Sequence, residues 1–490
     1  MKKMKKLTGL AALLLALLLF VSCGETAPAE SDAAADQAET AAEEVTETEL
    51  SAANLLPAAD FEGRTFNISG RNYAKLGDLP SYEFTVENEN GDLINDTIYA
   101  RNLAVSERYN VNITSGQGDA GALIPKSVMA GDGAYQLAWD HVNTMSSLTL
   151  KGVLEDYNTL PHIDISQPWW NRLATESLTV NGRCYLQMNY IPFTGVMLSH
   201  CLYYNMKLAS DFSVGGIEEE VLAGSWTFDR LSERTAGVGD DLDGNGVMDE
   251  KDLYGMIASH GTSGGAFAIA MGVIPMRVTA EGTPELLMSG DKNQKILEMI
   301  NTMMHGDSAY LLTDYSRENE IAKMFASSQG LFYSGFLTDS YQFFRDMADD
   351  YGILPFPKYD EAQERYITTV TGGTGLLGVP KAQADPEFTG LVTEALAIES
   401  LRYVYPTVYE TVVEEKLLRD ERSKQMFDIL MDGMAIDFGR TFKYADYSDL
   451  ICNLVASGAN DLTSAEEKLR SKAEKHYQEV LDIFFSEDIG

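Results

Sequence analysis

The sequence predicts an α/β fold with a helical C-terminal region, on three patterns. Thr65–Ile68 reads as a strand ending at Ser69-Gly70, followed by a helix capped by Asp96 and running to about Arg108, then a strand at Val111–Ile113. A strand–helix–strand unit of this kind implies a parallel sheet with helices on its faces. Strand-like runs return at Leu137–Trp139, across Val180–Tyr204, from Gly330 and from Tyr351. Beyond Asp385-Pro386 the apolar residues repeat at helical spacing instead.

The segment ahead of this body has a different character. Met-Lys-Lys-Met-Lys-Lys is cationic, and Leu7–Phe20 is almost wholly apolar. That run is too short to span a bilayer core but suits a signal-peptide h-region. It ends Phe20-Val21-Ser22-Cys23-Gly24. Small residues followed directly by Cys resemble a bacterial lipobox, with Phe20 where Leu is more usual. The expectation is a lipoprotein signal peptide over 1–22, lipidation at Cys23, and anchorage to the outer face of the cell membrane. Residues 23–60 form an acidic tether, rich in Ala, Glu, Thr and Asp and without aromatics as far as Leu55. Such a segment buries too little apolar surface to fold, and about 30 residues of random coil reach about 30 Å.

Gln294 to Met304 reads as a helix. Asp385 is an N-cap with Pro386 at the first helical position, and Phe388, Leu391, Val392, Ala395 and Leu396 form one helical face. Ser464-x-x-Glu467 is a capping box before a helix that buries Leu469, Ala473, Tyr477, Val480, Leu481 and Phe484. No internal repeat is visible.

At 490 residues the chain holds two or three domains. It has 37 basic residues against 74 acidic, a net charge of −37. That field repels nucleic acid and anionic lipid and favours a neutral or cationic ligand, subject to local fields. Cys184, Cys201 and Cys452 remain beside Cys23 and read as buried free thiols. Cys184 and Cys201 pair only if their strands lie side by side. The six histidines include neither His-x-x-His nor His-Glu-x-x-His, which argues against a zinc enzyme.

Asp241-Leu-Asp243-Gly-Asn245-Gly246-Val247-Met-Asp249-Glu-Lys-Asp252 matches the EF-hand loop at positions one, three, five, six, seven, nine and twelve. Alternate oxygen-bearing side chains point inward, Gly246 permits the turn, and Val247 offers its carbonyl. The expected ion is structural calcium, although Asp252 replaces the longer Glu. The alternative is an acidic surface turn. Gly373-Thr-Gly375-Leu-Leu-Gly378 matches a dinucleotide fingerprint, but Val379-Pro380 follows where a helix should open, so a tight backbone crossing is expected. Gly261-Thr262-Ser263-Gly264-Gly265 matches a nucleophile elbow without the later Asp and His that a hydrolase needs. It reads as a flexible loop near a cleft.

Several stretches in order resemble the family 1 extracellular solute-binding proteins of bacterial ABC importers. They are Asn95-Asp96 through Val111, Leu160-Pro161 through Trp169-Trp170, and Leu202-Tyr203-Tyr204-Asn205. Ser225-Trp226-Thr227-Phe228-Asp229 and Gly372-Gly373 through Pro380 complete the set. The resemblance spans roughly 61–490. It implies a two-lobed periplasmic-binding-protein-like fold of type II, with a ligand cleft between lobes. Lobe 1 would take 61–192 and 328–380, and lobe 2 would take 193–327 and 381–490. It also implies a monomer that captures a mono- or oligosaccharide and passes it to the permease subunits, without enzymatic chemistry. A binder of peptide or ion, and a surface lipoprotein hydrolase, are the other readings.

Sugar sites combine aromatic platforms with planar polar groups. The candidates are therefore Arg71, Asn72 and Tyr73 after the first strand, Trp139, Asp140 and His141 after the third, and Trp169 and Trp170 after the Leu-Pro turn. Tyr190 at the crossover, and Tyr203 and His260 on lobe 2, complete the set. Trp170 and Trp226 equally suit the core.

Overall fold

The structure is a computed structural model and describes residues 50–71, 84–261, 263–413 and 421–486. Cys23, the signal peptide, most of the tether, and Asn72 and Tyr73 lie outside these residues. The described part of the tether is not wholly detached. Ala52 is buried, its N–H donates to Glu399 Oε1 (2.8 Å), and Ser51 Oγ donates to the same oxygen (3.1 Å).

In chain order the elements that frame the molecule begin with β1 (Arg64–Gly70), α1 (Leu93–Tyr109), β2 (Val111–Gln117), α2 (Ala120–Ala130) and β3 (Leu137–Asp140). Next come α3 (Val142–Leu150), α4 (Arg172–Leu178), β4 (His200–Asn205), β5 (Leu253–Ser259) and α5 (Ser263–Ala270). Then follow α6 (Asp291–Met304), β6 (Ala309–Leu312), β7 (Gly330–Phe336), β8 (Tyr351–Leu354) and β9 (Leu376–Gly378). The last are α7 (Pro386–Val413), α8 (Glu421–Asp432), α9 (Phe438–Thr441), α10 (Leu450–Ser457) and α11 (Arg470–Phe485).

Two sheets organise these elements into a two-lobed α/β fold. The first has the order β9-β3-β1-β2, with β1 parallel to β2 and β3 and β9 antiparallel to β3. The second has the order β8-β4-β7-β5, extended by the short strand Gly239–Asp240, while β6 also pairs with β5. Within it β4 runs antiparallel to β7 and β8, and β5 runs parallel to β7 and β6. Alternation along β3 serves two cores. Leu137 and Trp139 pack with Phe388 and Leu391 of α7, and Ala138 packs with Ile124 and Met145. Among the described residues no helix is long and apolar enough to cross a membrane.

The strand–helix–strand opening appears as expected, with one shift. The cap of α1 is Asp92, whose carboxylate accepts from Asn95 N (2.9 Å). Asp96 instead accepts from Asn90 N (2.9 Å) in the preceding turn. Only the end of the run 180–204 is a strand. Val180–Arg183, Trp170–Asn189 and Gln187–Leu377 are single bridges, and Phe193–Met197 is a short helix. Asp461 rather than Ser464 caps the late helices, which break into Leu462–Glu467 and α11. The face of α11 from Ala473 to Phe484 is buried as its periodicity requires.

The allocation of segments to lobes also differs. Strands β7 and β8 belong to the second sheet, and only β9 returns to the first. Helix α7 packs along α1 and so joins the first lobe, not the second. Both β7 and β8 are apolar and buried along almost their whole length. A strand covered on both faces has no polar side to orient it, so its sequence does not encode which sheet it joins. Cys184 and Cys201 are buried and unbonded, and Cys452 is half-buried.

Candidate functional site

Strand ends of both sheets meet one cleft. Chains that leave a sheet at carboxyl ends place side chains where α/β folds bind ligands. His141 follows β3 and His260 follows β5. Because β4 is antiparallel to β7, its first residue, His200, lies opposite Phe336 at the same edge. All three histidines line a cleft of about 800 Å³. Asn143 of α3 and Glu176 of α4 face it from the first lobe. Gly261, Gly265 and the C-terminal residues Asp437, Arg440 and Asn453 face it from the other side. Residues 369–372, on the connection back to the first sheet, line it as well.

His141 caps α3 through Nδ1, which accepts from Asn143 N (3.1 Å). Burial lowers its pKa, and the charges of Arg71 and Lys443 add to that. Burial pushes His200 down to about 3, with Arg440 contributing. Both rings are therefore neutral hydrogen-bonding groups at neutral pH. Asp437 caps α9 by accepting from Arg440 N (3.0 Å). Burial pushes its carboxyl up to about 6, against that hydrogen bond and the Arg440 charge. Lys443 pairs with Asp449 (3.2 Å), and Glu176 pairs with Arg172 (2.8 Å).

The glycine-rich crossing is built for close approach. A Cβ at Gly372 would stand 2.7 Å from His141 Cε1. At Gly375, where φ is +73°, it would stand 2.5 Å from Trp139 Nε1. The other glycine motif is not a loop throughout. Ser263 opens α5, and its hydroxyl accepts from Ser259 N (3.0 Å).

Of the eleven ligand candidates, the structure brings His141 and His260 together at the cleft. Asp140 is 6% exposed and is used internally, its carboxylate accepting from Ala120 N (3.1 Å) at the start of α2 and from His141 N (2.6 Å). Burial raises its pKa. Arg71 is half-buried, and its charge acts on Asp140 and His141. Trp139 is fully buried, edge-on to Phe84. Trp169 and Trp170 are buried and donate their indole N–H groups to Glu394. Tyr203 is buried in the second core, where its hydroxyl donates to Phe336 O (2.8 Å). Tyr190 is half-buried against Tyr405. None of these lines the cleft: the rings of Trp139 and Tyr203 are buried in the interior, and those of Trp169 and Trp170 are held by Glu394. Trp226 is likewise core, its indole donating to Pro355 O (3.0 Å). Sequence reasoning missed Arg440, Asn143 and Asn453, which sit in short helices without a motif. The local signal at Arg440 was Asp437 three residues ahead, a helix cap.

The acidic loop lies away from the cleft. Carboxylate oxygens of Asp241, Asp243 and Asp252 lie within 4.8 Å of one another. Asp241 accepts from Gly244 N and Gly246 N (both 2.7 Å), and Gly246 takes φ +81°. Asp252 is buried and accepts from Leu242 N (2.9 Å) and Asp249 N (2.7 Å), closing the loop on itself. The side chains of Asn245 and Asp249 accept from Val247 N (2.7 Å) and Lys251 N (2.9 Å). Val247 is exposed.

No family model and no curated protein matches this sequence. Solved structures do match the fold. The GacH receptor of Streptomyces glaucescens GLA.O, solved unliganded and with acarbose, aligns at TM-score 0.53 and 13% identity, covering 84% of this chain and 99% of that one. A cyclo/maltodextrin-binding protein complexed with maltotetraose aligns at 0.54 and 12%, covering 87% and 98%. An ABC transporter solute-binding protein from Thermotoga lettingae TMO, bound with α-D-tagatose, aligns at 0.50 and 16%, covering 86% and 100%. The likeness spans nearly the whole of each of those chains.

Proposed function

We propose that this protein is an extracytoplasmic solute-binding lipoprotein that captures a carbohydrate between its lobes and delivers it to an ABC importer. The cleft carries this reading: its walls come from both lobes, its residues offer hydrogen-bonding groups, and its volume of about 800 Å³ suits a saccharide. Solved proteins of the same fold bind acarbose, maltotetraose and tagatose. Binding on both sides lets a ligand shift the balance between open and closed arrangements, since only differential affinity moves such an equilibrium. No chemistry on the ligand is part of the role. The lipid at Cys23 and the acidic tether would hold a monomer at the membrane near its permease. The loop at Asp241–Asp252 would hold structural calcium, supported by the convergence of three carboxylates on one point.

A thermal-shift screen against mono- and oligosaccharides tests the central reading. Binding without turnover supports it. Release of a cleaved product would instead favour a hydrolase, and binding of peptides alone would make the ligand a peptide.

A further inference from the structure

The charged groups of the cleft differ in what already holds them. Lys443 is paired with Asp449, Glu176 with Arg172, and Asp437 is engaged as the cap of α9. The guanidinium groups of Arg440 and Arg365, which line the same cleft, make no hydrogen bond or ion pair among the described residues. His200 is 5% exposed, lines the cleft, and has an Nδ1 without a hydrogen-bond partner. No Trp, Tyr or Phe among the described residues lines it. Among the described residues the cleft thus offers planar cationic donors and no aromatic platform.

We propose, resting on the carbohydrate reading above, that the captured saccharide carries a carboxylate, as a uronic acid does, and that Arg440 and Arg365 receive it. A guanidinium matches a carboxylate with two parallel N–H···O bonds. Hydroxyls of a neutral sugar accept from the same donors without neutralising their charge. The net charge of −37 opposes an anion at long range, but screening limits that field to about 8 Å at physiological ionic strength. Within the cleft Lys443 is offset by Asp449 and Glu176 by Arg172, which leaves the two guanidinium groups against the single carboxyl of Asp437. The preference for a neutral or cationic ligand that the whole-chain charge suggests is therefore reversed at the site.

Isothermal titration with charge-matched pairs tests this: oligogalacturonate against its methyl ester, and glucuronate-containing against all-glucose oligosaccharides. Sulfated oligosaccharides and sugar-free dicarboxylates complete the panel. The expected result is acid-sugar binding at least tenfold tighter than the neutral partner, falling tenfold to a hundredfold in Arg440→Gln. Arg365→Gln, at an exposed position, should show a smaller loss in the same direction with an unchanged melting temperature. That keeps the test open should Arg440→Gln fold poorly. Equal or tighter binding of the neutral partner would overturn the proposal and leave the carbohydrate reading standing. Preference for sulfate over carboxylate would overturn the carboxylate assignment. Binding of dicarboxylates with no saccharide bound would overturn both readings.

Discussion

The indole of Trp169 donates to Glu394 Oε1 at 2.7 Å, across 225 positions of sequence. Trp170 donates to the other oxygen of that carboxylate at 3.0 Å. One buried acid on α7 therefore fastens the Trp-Trp turn inside the first lobe: Trp170 sits in the core that its sequence equally suited, and Trp169, a platform candidate, is clamped beside it. Trp169→Ala should lower stability by about 3–5 kcal/mol, the range for emptying a buried large aromatic site, and leave ligand affinity within twofold. Urea unfolding beside a ligand titration separates the two effects. A stable variant with much weakened affinity would return Trp169 to the ligand.

The same acid makes stability depend on pH. Burial raises Glu394 from its ordinary 4.5 to about 7. Between those values the folded protein holds a proton that the unfolded chain has released, so stability falls as pH rises through that window. The size is about 1–3 kcal/mol for a shift of this order. Asp339, at about 7, and Asp437, at about 6, act with the same sign. Glu394→Gln should shrink the difference in unfolding free energy between pH 5 and pH 8. An unaltered difference would show that Glu394 does not titrate in that window.

Calcium should raise the melting temperature, since an ion bound only by the folded state stabilises it by mass action. Asp243 is exposed, so Asp243→Ala should abolish the rise without harming the apo protein. Identical melting curves in chelator and in millimolar calcium would leave the loop as an acidic surface turn.

Anchorage depends on Cys23. A buried acyl chain contributes about 0.8 kcal/mol per CH₂, so Cys23→Ala should release the protein from membranes or leave it as unprocessed precursor. Recovery of mature variant in the membrane fraction, at the parent's level, would contradict a lipid at that residue.

Local order was legible where one face differed from the other. Helices α7 and α11 and the β1-α1-β2 opening follow from periodicity. The sheet membership of β7 and β8 did not, because both strands are buried along most of their length. Strand ends were located well enough to place His141 and His260 at the cleft, yet Trp139, beside one of those ends, proved to be core. A ring next to a strand end packs inward or outward according to long-range neighbours such as Glu394 and Phe84, which sequence proximity does not reveal. Arg440 was hidden for a related reason: a short helix positions it, and the opposite wall of its cleft, with His141 and Asn143, is distant in the chain.

In the proposed function a saccharide sits between the two lobes and touches both. Isothermal titration of the saccharide found in the screen, against Asn143→Ala in the first lobe and His260→Ala in the second, tests it most directly. Each variant should weaken binding about tenfold, as loss of one or two ligand hydrogen bonds does, with melting temperatures close to the parent's. Unchanged affinity in both variants would place the ligand outside this cleft.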